Sequence, residues 1–127
     1  EYCNVDLLIL KENKIKVIVE IEESNVKPTQ ICGKFLTSAL ANYYIHYYER
    51  NKPIEMNDSV AFIQIVDTSK LVKDKTAKFR QWKALEDSIN KIIPLKNSKI
   101  TLYKLVTTDK LDKLTPFIKK HMARWKE

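Results

Sequence analysis

From Val5 to Leu10 the chain is apolar except at Asp6, and Lys16 to Glu22 alternates as K-V-I-V-E-I-E. The residues between them, Lys11, Glu12, Asn13 and Lys14, are polar and turn-like, so the pattern predicts a β-hairpin. Ser24, Asn25 and Pro28 break the second strand. From about Thr29 to Arg50 apolar residues recur at three- and four-residue spacings without a further breaker, which predicts one long, largely buried helix ended by Asn51, Lys52 and Pro53. Ser59 to Val66 (SVAFIQIV) reads as a central strand. Thr76 to Ile93 reads as an amphipathic helix, with Phe79, Trp82, Leu85, Ile89, Ile92 and Ile93 on one face and Pro94 as its stop. Lys99 to Val106 alternates as a last strand. Thr108 then opens a short helical turn, and a final helix follows with Thr115 as its cap, Pro116 at its first position, and Phe117, Ile118, Met122 and Trp125 on one side. The order ββαβαβα, a hairpin followed by strand-helix-strand crossovers, predicts an α/β fold with a mixed central sheet flanked by helices.

Composition narrows the function classes. With 127 residues the chain is long enough for one domain, residues 1–127, with its own core, and too short for two ordinary ones. Its single glycine, Gly33, excludes a Rossmann fingerprint and a Walker A loop, so no nucleotide cofactor held in those ways is expected. We assign Gly33 to close helix-sheet packing. Cys3 and Cys32 have neither disulfide nor zinc spacing and are expected to be buried thiols. The apolar runs are far shorter than a membrane span and no signal-peptide pattern opens the chain, so a soluble, cytoplasmic domain is expected. The chain begins at Glu1 and reaches an interior strand within a few residues, so we expect further elements upstream.

The informative chemistry lies on the hairpin. Residues i and i+2 of a strand share a face, so Glu20 and Glu22 project together about 7 Å apart, with Val19 and Ile21 expected to face the core opposite. Pairing brings Asp6 opposite the end of the second strand, making a pocket of three carboxylates whose repulsion a divalent cation relieves; an all-oxygen donor set suits Mg²⁺ or Mn²⁺. The alternative is that Glu20 and Glu22, continued by Glu23, line a solvent-facing side of the sheet.

In these residues the chain resembles the PD-(D/E)XK nuclease superfamily, the restriction endonuclease-like fold, in its E-x-E form. Asp6 matches the first acid and Glu20 the second, while Glu22 stands where a lysine is usual; Val5 replaces the frequent proline. The resemblance spans about residues 5–106, with its specific part between Val5 and Lys34. It implies an endonuclease of restriction or repair type. Asp6 and Glu20 would hold Mg²⁺, Glu22 would serve as a further ligand or orient the attacking water, and the products would be a 3′-hydroxyl and a 5′-phosphate. Gln30 and Lys34, one helical turn apart, could reach the phosphate or water that the missing strand lysine would serve.

Charge fits such a substrate. Residues 1–67 carry 7 Lys/Arg against 10 Asp/Glu, and residues 68–127 carry 16 against 6. Lys70, Lys73, Lys75, Lys78, Arg80 and Lys83 form a basic run diluted only by Asp74, a candidate clamp for the DNA backbone; a solvated helix face would look the same. Tyr43, Tyr44, Tyr47 and Tyr48 cover too much of a helix circumference for a stacking platform, and are assigned to core packing or to a homodimer interface. His46 and His121 receive no catalytic role. Two other readings stay open: a nuclease-like module that has lost activity and binds DNA or protein, and an α/β interaction domain without a nucleic-acid role.

Overall fold

A computed structural model describes residues 5–46, 50, 52–71 and 76–123. The elements run β1 (Leu7–Lys11), β2 (Lys14–Glu22), α1 (Pro28–Leu40), β3 (Tyr43–His46), β4 (Lys52–Val66), α2 (Thr76–Ile92), β5 (Ile100–Thr107), a 3-10 turn (Thr108–Lys113) and α3 (Leu114–Ala123). The mixed α/β class is as the pattern predicts. The order is ββαββαβα, because the expected helix over 29–50 stops at Leu40. Asn42 breaks it, and Tyr43, Tyr44, Ile45 and His46, β-branched or aromatic, pair antiparallel with the start of β4. Tyr47 and Tyr48 lie outside the described residues, as do Cys3, Lys73, Lys75 and Trp125.

The hairpin turns on Glu12 and Asn13, both with positive φ (51° and 67°), between the paired Lys11 and Lys14. Two such residues make a type I′ turn, whose twist matches that of the flanking strands. β2 pairs antiparallel with β1 and parallel with β4, and β4 pairs parallel with β5. β2, β4 and β5 therefore end together, with Glu22 opposite Val66 and Val66 opposite Thr107.

One irregularity sets the faces of β2. Ile9 pairs with Val17 but Leu10 pairs with Ile15, which leaves Lys16 as an extra residue, a β-bulge. Ile15 and Ile18 consequently share one layer, with Phe35 and Ala39 of α1, Ile89 of α2, and Phe62 and Tyr103. Val17 and Val19 lie in the other, with Ala61, Ile63 and Leu114. Helices α1 and α2 thus cover one side of the sheet and α3 the other. The Lys16 side chain is buried, and its ammonium donates to Ser59 O at 2.9 Å and Asn57 Oδ1 at 3.4 Å, where β4 also shifts register.

Burial, and then the charge of Lys11, lower the pKa of Lys16. The unfolded chain keeps this proton to higher pH than the folded one, so folding stability gains with pH between the lowered value and the ordinary 10.5. Lys16→Met keeps the volume and removes the titration. Urea unfolding measured as the pH is raised toward 10.5 is expected to show wild type gaining on this variant; an unchanged difference between the two would refute it.

Four local expectations are corrected. Cys32 is exposed, on the outer side of α1. Ile21 is 57% exposed and not part of the core, because none of the described residues covers the α3 face beyond Val19 at this end of β2. Thr115 and Pro116 lie inside the first turn of α3, which grows directly out of the 3-10 turn and needs no separate cap. Gly33 makes no close approach: a Cβ placed there meets nothing within 4 Å. Gly33→Ala is accordingly expected to stabilise the protein by about 0.5–1 kcal/mol through helix propensity, measured by urea unfolding; destabilisation would mean that this face of α1 is covered.

The free edge of β5 is closed by α2. Leu105 N donates to Glu86 Oε2 at 2.7 Å, and Asn90 Nδ2 donates to Tyr103 O at 3.3 Å. Among the described residues no helix is long and apolar enough to cross a membrane.

Candidate active site

Parallel strands in open α/β sheets offer ligands a crevice beyond their carboxyl ends. Here that end of β2 carries Glu20 and Glu22, both 3% exposed. They lie on the α1 side, which the bulge at Lys16 assigns to them, and not on a solvent-facing surface. Asp6, just before β1, is exposed but fixed: its Oδ2 accepts Ile21 N–H at 2.7 Å, and its own N–H donates to Glu20 Oε1 at 3.1 Å. The hairpin thus brings Asp6 and Glu20 together, as the 14-residue spacing predicts.

α1 begins at Pro28, and its first turn is held by Gln30, whose Oε1 accepts Lys27 N–H at 2.8 Å. One turn on, Lys34 reaches back to the sheet. Its ammonium hydrogen-bonds Glu22 Oε1 and lies 3.5 Å from Glu20 Oε2. Gln30 is exposed and does not join them. Burial alone would lower the Lys34 pKa, but the hydrogen bond and charge of Glu22, with those of Glu20, outweigh it and hold the ammonium above its ordinary range. Glu20 shifts upward. Its burial leads, aided by the charges of Asp6 and Glu22 and opposed by Lys34 and by the Asp6 N–H.

A further pair of residues belongs to the site. Gln64 is fully buried beneath α1; its amide donates to Glu22 Oε2 at 3.0 Å and to Ile31 O at 3.3 Å. Its Oε1 accepts the Tyr103 hydroxyl at 2.5 Å. Burial, then the charge of Glu86, raise the Tyr103 pKa far above its usual value, so the phenol remains a donor. The line Tyr103-Gln64-Glu22-Lys34 engages both Glu22 oxygens and fixes the lysine. Gln64 had one signal in the sequence, as the only polar residue in VAFIQIV; Tyr103 had none.

The donors suit a hard cation in part. Three carboxylates and one ammonium leave a formal charge of −2 in a corner where Glu20 and Glu22 are buried and Asp6 and Lys34 reach solvent. Among the described residues Asp6 Oδ1 takes no N–H donor, and Glu20 Oε2 has only the Lys34 ammonium, at 3.5 Å. Among the described residues no three His, Cys, Asp or Glu side chains converge to ligate one ion. Two carboxylates are nevertheless a usual protein contribution to Mg²⁺, which keeps waters and takes substrate phosphate oxygens for its remaining positions.

The basic run divides. Lys78 donates to Ser24 O at 3.0 Å, which brings the start of α2 to the loop leaving β2. Arg80 is exposed. Lys83 lies 3.2 Å from both Glu86 and Asp87 of its own helix, so its charge is largely answered. Lys73 and Lys75 fall outside the described residues. His121 is buried with Nε2 3.0 Å from Lys16 O, remote from the carboxylates along β2.

No family model, curated protein or solved structure matches the chain.

Proposed function

We propose that the protein is a divalent-metal-dependent endonuclease acting on DNA, with the restriction endonuclease-like arrangement and its lysine moved from the strand to α1. The observation that carries this reading is Lys34, which bridges the buried Glu20 and Glu22 beside Asp6. The hairpin, the parallel β2-β4-β5 set and the crossing helix α1 support it as architecture.

Asp6 and Glu20 would hold Mg²⁺ or Mn²⁺, which when bound supplies a water of lowered pKa and neutralises charge on the scissile phosphate. Lys34 faces the phosphate oxygens as charge builds on them during in-line attack. Glu20 accepts the proton of the attacking water. Glu22 is better used holding Lys34 than as a ligand, since both its oxygens are taken. Lys78 and Arg80 supply backbone contacts.

The test is incubation of the full-length protein with supercoiled plasmid and Mn²⁺, with EDTA as control. Metal-dependent nicking supports the reading. The second reading, an inactive nuclease-like module that binds DNA, is favoured by the same engagement of both Glu22 oxygens. It would be chosen by wild type that binds DNA unchanged in EDTA and cleaves none over a range of substrates.

A further inference from the structure

Between α2 and α3, at the edge of β5, runs a groove of about 320 Å³ lined by Phe79, Lys83, Lys104, Lys110, Lys113 and Phe117 among others. We propose that this groove holds a single strand of nucleic acid, lysines on its phosphates and Phe79 against a base. The proposal rests on the endonuclease reading for its substrate class and adds the form of nucleic acid and where it lies.

Charge and shape carry it. The acid in the groove wall, Glu86, is already engaged by Leu105 N–H and Lys83. Among the described residues no ion pair takes Lys104, Lys110 or Lys113, which leaves three positive charges facing one channel. Lys104 is pinned there, its Nζ 5.3 Å from the centre of the Phe117 ring. Phe79 rests against Trp82, ring centres 5.6 Å apart, and stays partly exposed. Aromatic faces interleaved with lysines are what single strands use, since every base can stack and every phosphate can pair. The volume is at the small end for ligand pockets, enough for about one nucleotide unit at a time.

The groove also lies in the right place. Thr107, in its wall, is in register with Val66 and through it with Glu22, two strand spacings or about 10 Å across the sheet. Phe79 and Lys83 also line an open depression on α2 that continues to Arg80, so the track runs out along the basic helix. An acidic peptide could use the lysines, but it could not add as a strand: the edge groups at Tyr103 and Leu105 are taken by Asn90 and Glu86.

The experiment is fluorescence anisotropy of a labelled 12-residue oligothymidylate with the full chain in EDTA. A blunt duplex and polyglutamate serve as competitors. Lys110→Glu with Lys113→Glu is expected to weaken binding at least about tenfold and to lower the salt slope by about 1–2. Phe79→Ala is expected to weaken it about five- to tenfold. Lys110→Gln with Lys113→Gln, a milder change, should give an intermediate loss with an unaltered circular dichroism spectrum. Wild-type affinity in all variants would overturn the proposal. So would displacement by polyglutamate as efficient as by unlabelled oligothymidylate, or a loss confined to the duplex. Because this assay reads binding without metal, it separates the two ideas. Groove-dependent binding without any cleavage by wild type rejects the enzyme and keeps the groove; cleavage with unchanged variant binding rejects the groove alone.

Discussion

Glu20→Gln is expected to slow Mn²⁺-dependent plasmid cleavage about a thousandfold and, in the same sample, to raise the midpoint of thermal unfolding. The first effect follows from removing a metal donor and proton acceptor from the reacting atoms, a loss of order 10²–10⁴ for an acid-base group alone. The second follows from the electrostatics. Burial and the neighbouring Asp6 and Glu22 disfavour the charged form of Glu20. A neutral amide of the same shape still accepts the Asp6 N–H, and Lys34 keeps Glu22 as its partner. A site held together at some cost in stability behaves in this way. Supercoiled-plasmid nicking rates and differential scanning calorimetry measure the two effects. Cleavage within tenfold of wild type would remove Glu20 from the chemistry, and a lowered midpoint would show that its charge is structural.

Gln64→Leu is expected to cost about 2–4 kcal/mol, because it strands two buried groups at once, the Tyr103 hydroxyl and Glu22 Oε2. Leucine fills nearly the same space, so cavity formation contributes little. Urea unfolding provides the measurement. A loss below about 1 kcal/mol would mean that water or rearranged side chains replace the amide.

The carboxylate corner was legible where chemistry is local. Two glutamates at i and i+2 must share a face, a turn-like tetrad closes a hairpin, and Pro28 marks a helix start one turn before Gln30 and Lys34. The approach of Lys34 to that end of the sheet needs only the direction of α1. What escaped depends on partners far apart in sequence. Residues 43–46 show helical spacing and strand composition together, and the start of β4 decided between them. Where the α3 cover stops along β2 has no local signal, so the burial of Ile21 was misjudged. Gln64 and Tyr103 meet only because β4 and β5 lie side by side. In the basic run, periodicity located the helix, but only coordinates could show that Lys83 is answered by Glu86 and Asp87.

The bulge at Lys16 acts as a parity switch. Side chains alternate strictly along an unbroken strand, so one extra residue inverts every position on one side of it relative to the other. Upstream, the hairpin turn counts residues by one rule; downstream, Glu20 and Glu22 obey the opposite one, and that inversion is what lets Ile15, Ile18 and the glutamates all look toward α1. Lengthening or deleting the chain at this point, unlike exchanging the lysine, would trade the carboxylates for Val19 and Ile21 across the sheet, leaving an oily crevice on one side and the acids turned out to solvent on the other.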